Sequence, residues 1–334
     1  MSDAARRRLH PAAALVAAAG LLVITALASI LWGARPAGLV DTVLALGGHG
    51  EEHLQQVLAA RRPRTLLGAA VGAALAASGV VVQGLTRNPL GEPGLLGITA
   101  GASASVVTAT AVLGLAGAAG TVAAALPGAL AAAILVLVLG RPARSDSVVP
   151  LILAGAVVTA VLGAYVQAMI LTRPDVFDSY RFWAVGSLAG ASFSTAATVA
   201  PVLLAGLLIA VVLTPGLNTL ALGDEVAVSL GAPVRMIRIG GVLAATLLAA
   251  GATAAAGPIA FVGLAVPHLV RALVGADHRI QLPVSLLLGA ALLLAADVLA
   301  RVVARPEELM VGVVTAFVGA PFLLLAVRRG RVVA

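Results

Sequence analysis

Two histidines that flank a pair of glutamates are the residues whose spacing could most directly support catalysis. His49, Glu52 and His53 fit the pattern H-x-x-E-H, which is typical of one class of zinc protease. Such a site needs both histidines on one face of a rigid helix and a further metal ligand. Glycines at 47, 48 and 50 disfavour a rigid helix, and the sequence indicates no further ligand. We therefore interpret this stretch as a polar loop and keep a zinc protease as an alternative.

ATP hydrolysis by a P-loop is excluded because the chain contains no lysine. The P-loop pattern G-x-x-x-x-G-K-[ST] requires a lysine for the phosphates. Any nucleotide chemistry that drives this protein is therefore expected on another chain. The sequence also contains no cysteine, which excludes a disulfide framework and a cysteine-based metal site. We expect this chain to bind no metal or cofactor of its own.

The composition indicates a membrane protein. Hydrophobic residues make up 61% of the chain and charged residues 10%, with a mean hydropathy of +1.10. Soluble domains carry about 25% charged residues. The net charge of +7 comes from arginines in short loops that form no continuous basic face, so we expect no nucleic-acid partner. We predict an all-α polytopic membrane protein with one transmembrane domain, 1–334, in contact with lipid.

Ten apolar segments approach the length of about 20 residues that a membrane-spanning helix needs. The first is longer than the apolar core of a secretory signal, about 7–15 residues, so we expect it to be retained as a span. The segment 258–274 is short and contains Pro258 and Pro267, which favours a position buried within protein. The ten segments are 11–33, 65–84, 95–115, 120–140, 149–171, 194–213, 237–256, 258–274, 282–303 and 309–328.

The distribution of arginines predicts the orientation. Ten spans place both termini on one side. With the N-terminus inside, 13 of the 21 arginines fall in inner segments and 8 in outer ones, which favours cytoplasmic termini. The eight outer arginines need a separate explanation.

Few polar groups lie within the predicted spans. Asp297 and Arg301 are four residues apart near an outer helix end, where they can pair on one face. No acid is predicted in the middle of a span, which argues against a secondary transporter coupled to protons or sodium. Tyr165 and Gln167, in the fifth span, could either face a transport pathway or form hydrogen bonds between helices.

The inner loop between the sixth and seventh spans contains a short amphipathic segment, 222–231. Gly223 precedes it, Asp224 and Glu225 fill its first turn, and Gly231 follows its end, which is the pattern of a short helix. Its apolar positions are Val226, Val228 and Leu230. Because apolar residues on a cytoplasmic helix need a partner surface, we predict that this helix docks a soluble protein.

Five stretches follow one another along the whole chain: R-R-P-R-T-L at 61–66, Q-G-L-T-R-N-P-L-G-E-P-G-L-L-G at 83–97, L-G-D-E-V-A-V-S-L-G at 222–231, G-P-I-A-F-V-G-L-A-V-P-H at 257–268 and G-V-V-T-A-F-V-G-A-P at 312–321. In this order they resemble the FecCD family of ABC importer permeases, which take up ferric siderophores, haem or cobalamin. The resemblance implies a type II ABC importer permease fold with ten transmembrane helices in the cytoplasmic membrane.

The same resemblance implies several partners. Two permease protomers, identical or paralogous, form a central pathway. Two ATP-binding subunits dock on the cytoplasmic side and bind ATP and Mg. An extracytoplasmic substrate-binding protein delivers the substrate from the other side.

The resemblance also implies roles for individual residues. Arg61, Arg64 and Arg301 correspond to outer arginines that meet glutamates of the binding protein, and Arg62, where relatives often have leucine, could add to this patch. The positions expected to couple to the ATPase are Gly223, Asp224, Glu225, Val226, Ser229, Leu230 and Gly231. The positions expected to line the pathway or its inner gate are Ser147, Val148, Val149, Tyr165 and Gln167.

We therefore expect the permease subunit of an ATP-driven importer, without enzymatic activity of its own, most consistent with a ferric siderophore as substrate. A haem or cobalamin permease is the alternative within this class. A secondary transporter without an ATPase is the alternative from another class. The substrate is not readable from the chain, because the binding protein does most of the selecting.

Overall fold

The computed structural model of this protein describes residues 9–33, 52–115, 117–140, 149–305 and 307–328. Twelve α-helices and the short 3-10 helix Pro93–Leu96 form this described part of the chain, in which no β-strand occurs. The helices are α1 (Pro11–Leu31), α2 (Glu52–Thr86), α3 (Ile98–Leu113), α4 (Gly117–Leu139), α5 (Val149–Thr172), α6 (Pro174–Ala184), α7 (Phe193–Leu220), α8 (Asp224–Ser229), α9 (Val234–Ala256), α10 (Val262–Val274), α11 (His278–Val303) and α12 (Val311–Arg328).

Ten of the helices in these ranges match the ten predicted membrane segments one to one, so the prediction of an all-α polytopic protein is confirmed. Seven of these ten helices are long and apolar enough to cross a bilayer. The apolar parts of the other three, α3, α10 and α12, are shorter. Helix α8 is predicted from the sequence, whereas α6 is not. Pro174 at the first position of α6, Asp175 in its first turn and Arg181 in its last turn are signals that indicate a helix.

Helix α2 lies at the centre of the bundle and packs on α7, α9, α10 and α11. Glycines make the closest of these contacts possible. Gly72 lies against Gly289 of α11, and Gly79 lies against Gly263 of α10. Small residues matter here because helices in lipid associate through close backbone packing rather than through the hydrophobic effect.

The bundle has two ends, which we name by their charged residues. At the Arg301 end, α1 and α11 finish and the arginine-rich part of α2 lies between them. At the Asp224 end, α2 finishes at Thr86, next to α8.

Replacing Gly79 by alanine should destabilise the bundle by about 1–3 kcal/mol, the usual cost of overpacking. The added methyl group would collide with the backbone of Gly263, which cannot move aside as a side chain could. The melting temperature in detergent measures this effect. Gly20→Ala on α1 is the matched control, because nothing lies within 4 Å of the added methyl group. Equal melting temperatures for both variants would contradict this packing.

Helix α5 carries an exposed apolar stripe at every fourth residue. Val149, Leu153, Val157 and Val161 are each more than half exposed. Residues with this spacing lie on one face of a helix. This face therefore requires lipid or a second protein chain to cover it.

Candidate functional site

Arg301, near the end of α11, is buried with only 2% of its surface exposed. Its Nη2 lies 2.9 Å from Oδ2 of Asp297, one turn earlier on the same helix. The guanidinium also donates to Ser29 of α1, with Nη1 at 3.1 Å from the carbonyl oxygen and Nη2 at 3.0 Å from Oγ. The predicted pairing of Asp297 with Arg301 is thus present.

Asp297 also binds Arg64 of α2. Nη2 of Arg64 donates to Oδ1 of Asp297 at 2.8 Å, and its Nη1 donates to Oε2 of Glu308 at 2.8 Å. A carboxylate that is 1% exposed therefore lies between two guanidinium groups. Buried charges are tolerated when they are paired and hydrogen-bonded in this way.

Two further arginines bind the end of α1. Nη1 of Arg61 donates to the carbonyl oxygens of Ile30 and Leu31 at 2.7 and 3.1 Å. Nη2 of Arg305 donates to the carbonyl oxygen of Gly33 at 2.7 Å. The last carbonyls of a helix lack intrahelical partners and carry partial negative charge. Together with Arg301, these side chains hold α1 against α2 and α11.

We call Arg61, Arg64, Arg301, Arg305, Asp297 and Glu308 the arginine cluster. The structure brings together the three arginines that the family resemblance singles out, Arg61, Arg64 and Arg301. It turns Arg61 and Arg301 into the protein, whereas the neighbouring Arg62 is exposed. The carbonyl contacts with α1 could not be found in the sequence, because they join residues 30 or more positions apart.

Helix α8, at the other end of the bundle, lies within the segment predicted to dock a soluble partner. It spans Asp224–Ser229, so it begins directly after Gly223 and ends before Gly231, as predicted. Gly223 before it and Gly231 after it have φ values of 101° and 76°, which favour glycine. Glu225 and Asp224 lie in the first turn, where acidic side chains are favourable.

The apolar side chains of this segment divide between two directions. Ala227 is fully buried against the bundle. Val226, Val228 and Leu230 are 46%, 60% and 65% exposed. The predicted apolar surface of α8 thus has no cover within the described part of the chain, and it is available to another protein.

Asp224 fixes α8 to the rest of the bundle. Its Oδ2 accepts a hydrogen bond from Nη2 of Arg238, at the start of α9, at 2.6 Å. Its Oδ1 lies 3.2 Å from Nη2 of Arg87, directly after α2. The carboxylate of Asp224 therefore connects α8 to the end of α2 and to the start of α9. The sequence predicts Asp224 in the first turn of a helix but does not indicate these two partners.

The predicted pathway residues fall on or near α5. Val149 begins the helix and is exposed, whereas Ser147 and Val148 lie outside the described residues. The hydroxyl of Tyr165 is 2.8 Å from Oγ1 of Thr108, so it forms the hydrogen bond between helices that was one of its two alternatives. Gln167 is exposed.

One carboxylate outside the predicted spans packs against the bundle. Glu92 belongs to no helix, and its segment folds back from the end of α2 to pack beside α10. This position agrees with the expectation that no acid lies in the middle of a span, because Glu92 lies in the connection between two spans. The zinc pattern of His49 and His53 falls outside the described side chains.

Comparison with known proteins gives the same assignment along the whole chain. Residues 21–329 match the FecCD transport family. The ferric enterobactin transport system permease protein FepD of Escherichia coli (strain K12) is 45% identical over 92% of this chain and 93% of its own. The Fe(3+)-citrate import system permease protein YfmD of Bacillus subtilis (strain 168) is 37% identical over 90% of this chain and 89% of its own. Relatives named for hemin and cobalamin import, HmuU of Yersinia pestis and BtuC of Halobacterium salinarum, are 37% and 38% identical.

The fold agrees with these sequence matches. A solved chain of an ABC transporter assigned to the metal-chelate type, in an inward-facing conformation, has a TM-score of 0.83 at 30% identity. The match covers 96% of this chain and 99% of the solved one. The chain therefore belongs to the FecCD transport family and is a membrane-spanning ABC importer permease.

Proposed function

We propose that this chain, paired with a second permease protomer, carries a ferric siderophore across the cytoplasmic membrane in an importer driven by a separate ATPase. The observation that carries the proposal is α8, a short helix with exposed valine and leucine side chains held on the bundle by Asp224. The absence of lysine leaves the chain without a P-loop, so ATP and Mg would be bound by the partner.

A ferric siderophore is favoured over haem and cobalamin by the relatives. The relative at 45% identity is named for ferric enterobactin, and a second is named for ferric citrate. The hemin and cobalamin relatives, at 37% and 38%, are less similar than the ferric enterobactin relative and about as similar as the ferric citrate one. A haem or cobalamin importer remains the alternative substrate class.

Reconstitution in proteoliposomes tests this function directly. The permease, its ATPase and its binding protein should take up radiolabelled ferric siderophore when ATP is enclosed, and labelled cobalamin and haem should not compete. Uptake that requires an ion gradient and proceeds without the ATPase would instead indicate a secondary transporter. Uptake of cobalamin or haem in place of the siderophore would leave the importer class intact and change its substrate.

The end of the bundle around the arginine cluster is proposed as the docking surface for the substrate-binding protein. The cluster contains four arginines and two acids, and the exposed Arg62 adds a further positive charge beside it. An excess of positive charge steers the approach of a protein with an acidic surface and fixes its orientation. The effect of such charges at the rim of an interface weakens as salt rises.

Arg62→Glu should reduce the association rate with the binding protein and flatten its dependence on salt concentration. Arg62 is the informative site because its side chain is exposed, so the substitution is expected to change stability by only about 0.5 kcal/mol or less. Surface-immobilised permease in nanodiscs measures the rate. Arg181→Glu, an exposed arginine on α6, is the control for charge change alone. An unchanged rate and salt dependence for Arg62→Glu would exclude docking at this turn.

The exposed stripe of α5 is proposed to face the second protomer, with the inner gate at 147–149. A cysteine at Val148 would be the sole cysteine of the chain. It should cross-link to its counterpart in the dimer, and the yield should differ between nucleotide-free and ATP-trapped complexes. The same variant without the ATPase should give a yield that nucleotide does not alter. Absent or invariant cross-linking in the full complex would place the gate elsewhere.

A further inference from the structure

Glu92 makes a contact between two non-helical segments of the bundle. Oε1 of Glu92 accepts a hydrogen bond from the backbone N–H of Phe261 at 3.2 Å. Phe261 is the residue directly before α10, and its φ of 70° is unusual for a residue other than glycine. Backbone strain of this kind persists only where surrounding contacts hold it in place. The carboxylate of Glu92 is one of these contacts.

The contact lies deep in the membrane. Gly263 packs against Leu75 and Gly79 of α2 and against Pro93, the residue after Glu92. At the rise of an α-helix, Leu75 and Gly79 are about 12–18 Å along α2 from Arg87 and about 17–22 Å from Arg64. The hydrocarbon core of a bilayer is about 30 Å thick. Glu92 is therefore well inside it, where an ionisable side chain indicates a functional role by default.

A cavity of ≈ 430 Å³ adjoins the carboxylate. Thr99, Thr253 and Pro258 also line it. This volume and these polar groups suit several water molecules, which can hydrate a carboxylate at this depth. Non-helical backbone at membrane depth is tolerated where it is buried in protein or lines such a cavity.

A short, stiff connection joins this contact to α8. Arg87 pairs with Asp224 of α8, and four residues separate it from Glu92. Those four residues form a hydrogen-bonded turn, in which the N–H of Gly91 donates to the carbonyl oxygen of Asn88 at 3.0 Å and the N–H of Leu90 to its side-chain oxygen at 2.8 Å. Pro89 and Pro93 further limit the backbone. A displacement of α8 would therefore be transmitted along 87–93 rather than absorbed by it.

We propose that Glu92 is a positioning residue for transport, whose carboxylate ties the segment 87–93 to the start of α10 so that movement of α8 reshapes the cavity at mid-membrane. This inference rests on the proposed docking of an ATPase at α8. Two ion-pair or hydrogen-bond contacts, Asp224 with Arg87 and Glu92 with Phe261, connect α8 to the non-helical crossing before α10. Weakening the contact of Glu92 with Phe261 leaves α8 and its docking face intact. A variant of Glu92 should therefore lose transport while it keeps ATP hydrolysis.

Glu92→Gln is the central variant because it keeps the size of the side chain and removes its charge. We expect assembly with the ATPase and ATP hydrolysis to persist while siderophore uptake falls by about tenfold. The amide oxygen of glutamine can still accept from Phe261, but a hydrogen bond to a neutral acceptor is about half as strong as one to a carboxylate. Glu92→Asp, which keeps the charge, should retain more uptake than Glu92→Gln. The opposite order would assign Glu92 a packing role and overturn the proposal. Glu307→Gln, an exposed glutamate, is the control for the same substitution.

Labelling of the cavity tests the mechanism without relying on uptake. Thr99→Cys introduces a single thiol into the cavity lining. Its rate of reaction with a small methanethiosulfonate reagent should differ between nucleotide-free and vanadate-trapped complexes when Glu92 is present. In Glu92→Gln the two rates should converge.

Equal labelling rates in both states with Glu92 intact would overturn the proposal, even if Glu92→Gln proved too unstable to purify. A nucleotide-dependent rate that survives in Glu92→Gln would overturn it as well. If the unsubstituted chain neither assembles with an ATPase nor transports, the proposed function itself has failed. If the unsubstituted chain assembles and transports and the Glu92 variants behave like it, the proposed function stands and the inference on Glu92 is wrong.

Discussion

Asp297→Asn should lower the free energy of unfolding by about 3–5 kcal/mol, the range measured when one partner of a buried ion pair is removed. The substitution keeps the size of the side chain and removes the negative charge between Arg64 and Arg301. Arg301 is 2% exposed, so its charge would remain buried without a carboxylate on the same helix. The two guanidinium groups would also repel each other. Thermal unfolding of the detergent-solubilised protein measures the loss.

Asp178→Asn is the matched control for this prediction. Asp178 pairs with Arg181 at 3.4 Å on α6, but its side chain is 66% exposed. Exposed pairs of this kind contribute about 1 kcal/mol or less. A similar small change in both variants would mean that Asp297 is hydrated rather than buried, and the arginine cluster would then be a surface feature.

The burial of this cluster changes how the docking hypothesis must be tested. Reversing the charge of Arg301 would place two carboxylates together beside the end of α1. The variant is expected to lose binding because it loses its fold, whichever surface the binding protein uses. Arg62 lies next to Arg61 on α2 but is exposed. A substitution at Arg62 therefore tests docking without removing a buried contact.

The sequence carried enough information to predict the helices because lipid imposes one dominant requirement. A spanning helix must be apolar over its length, and each of the ten apolar segments became a helix. Helix α8 was predictable for the opposite reason, since two adjacent acids followed by apolar residues, all between two glycines, are conspicuous in a predicted cytoplasmic loop. Helix α6 has neither a long apolar run nor a conspicuous pattern between glycines. It is too short to span a membrane and too polar to be found by hydropathy.

The site was predictable only where contacts are local. Asp297 and Arg301 are one helical turn apart, so their pairing follows from spacing alone. Arg61 with Ile30 and Glu92 with Phe261 join residues 31 and 169 positions apart. Contacts of this kind depend on how helices pack, and packing in lipid is set by small residues such as Gly79, whose partners a single sequence does not identify.

Val226→Asp and Leu230→Asp should each weaken binding of the ATPase by about 30-fold or more, the loss expected when a central apolar contact of about 2 kcal/mol is removed. Both side chains are exposed on the described chain. A charged group carried into the interface would have to be desolvated without a partner. The fold of α8 should survive in Val226→Asp, because Val226 lies in the first turn, where an aspartate is favourable to a helix. Leu230 follows the last residue of α8, where a negative charge is unfavourable, so Val226→Asp is the decisive variant. Coupled ATP hydrolysis should fall with binding.

Leu113→Asp is the control for placing a charge on an exposed apolar position. Leu113 is 68% exposed and ends α3, whose second half packs with Val166 of α5 and Val176 of α6, far from α8. This variant should insert in the membrane and bind the ATPase like the parent chain. Affinity measured by co-purification from nanodiscs compares all three variants. If Val226→Asp and Leu230→Asp bind as tightly as Leu113→Asp, α8 does not contact the ATPase, and the proposed function loses the observation that carries it.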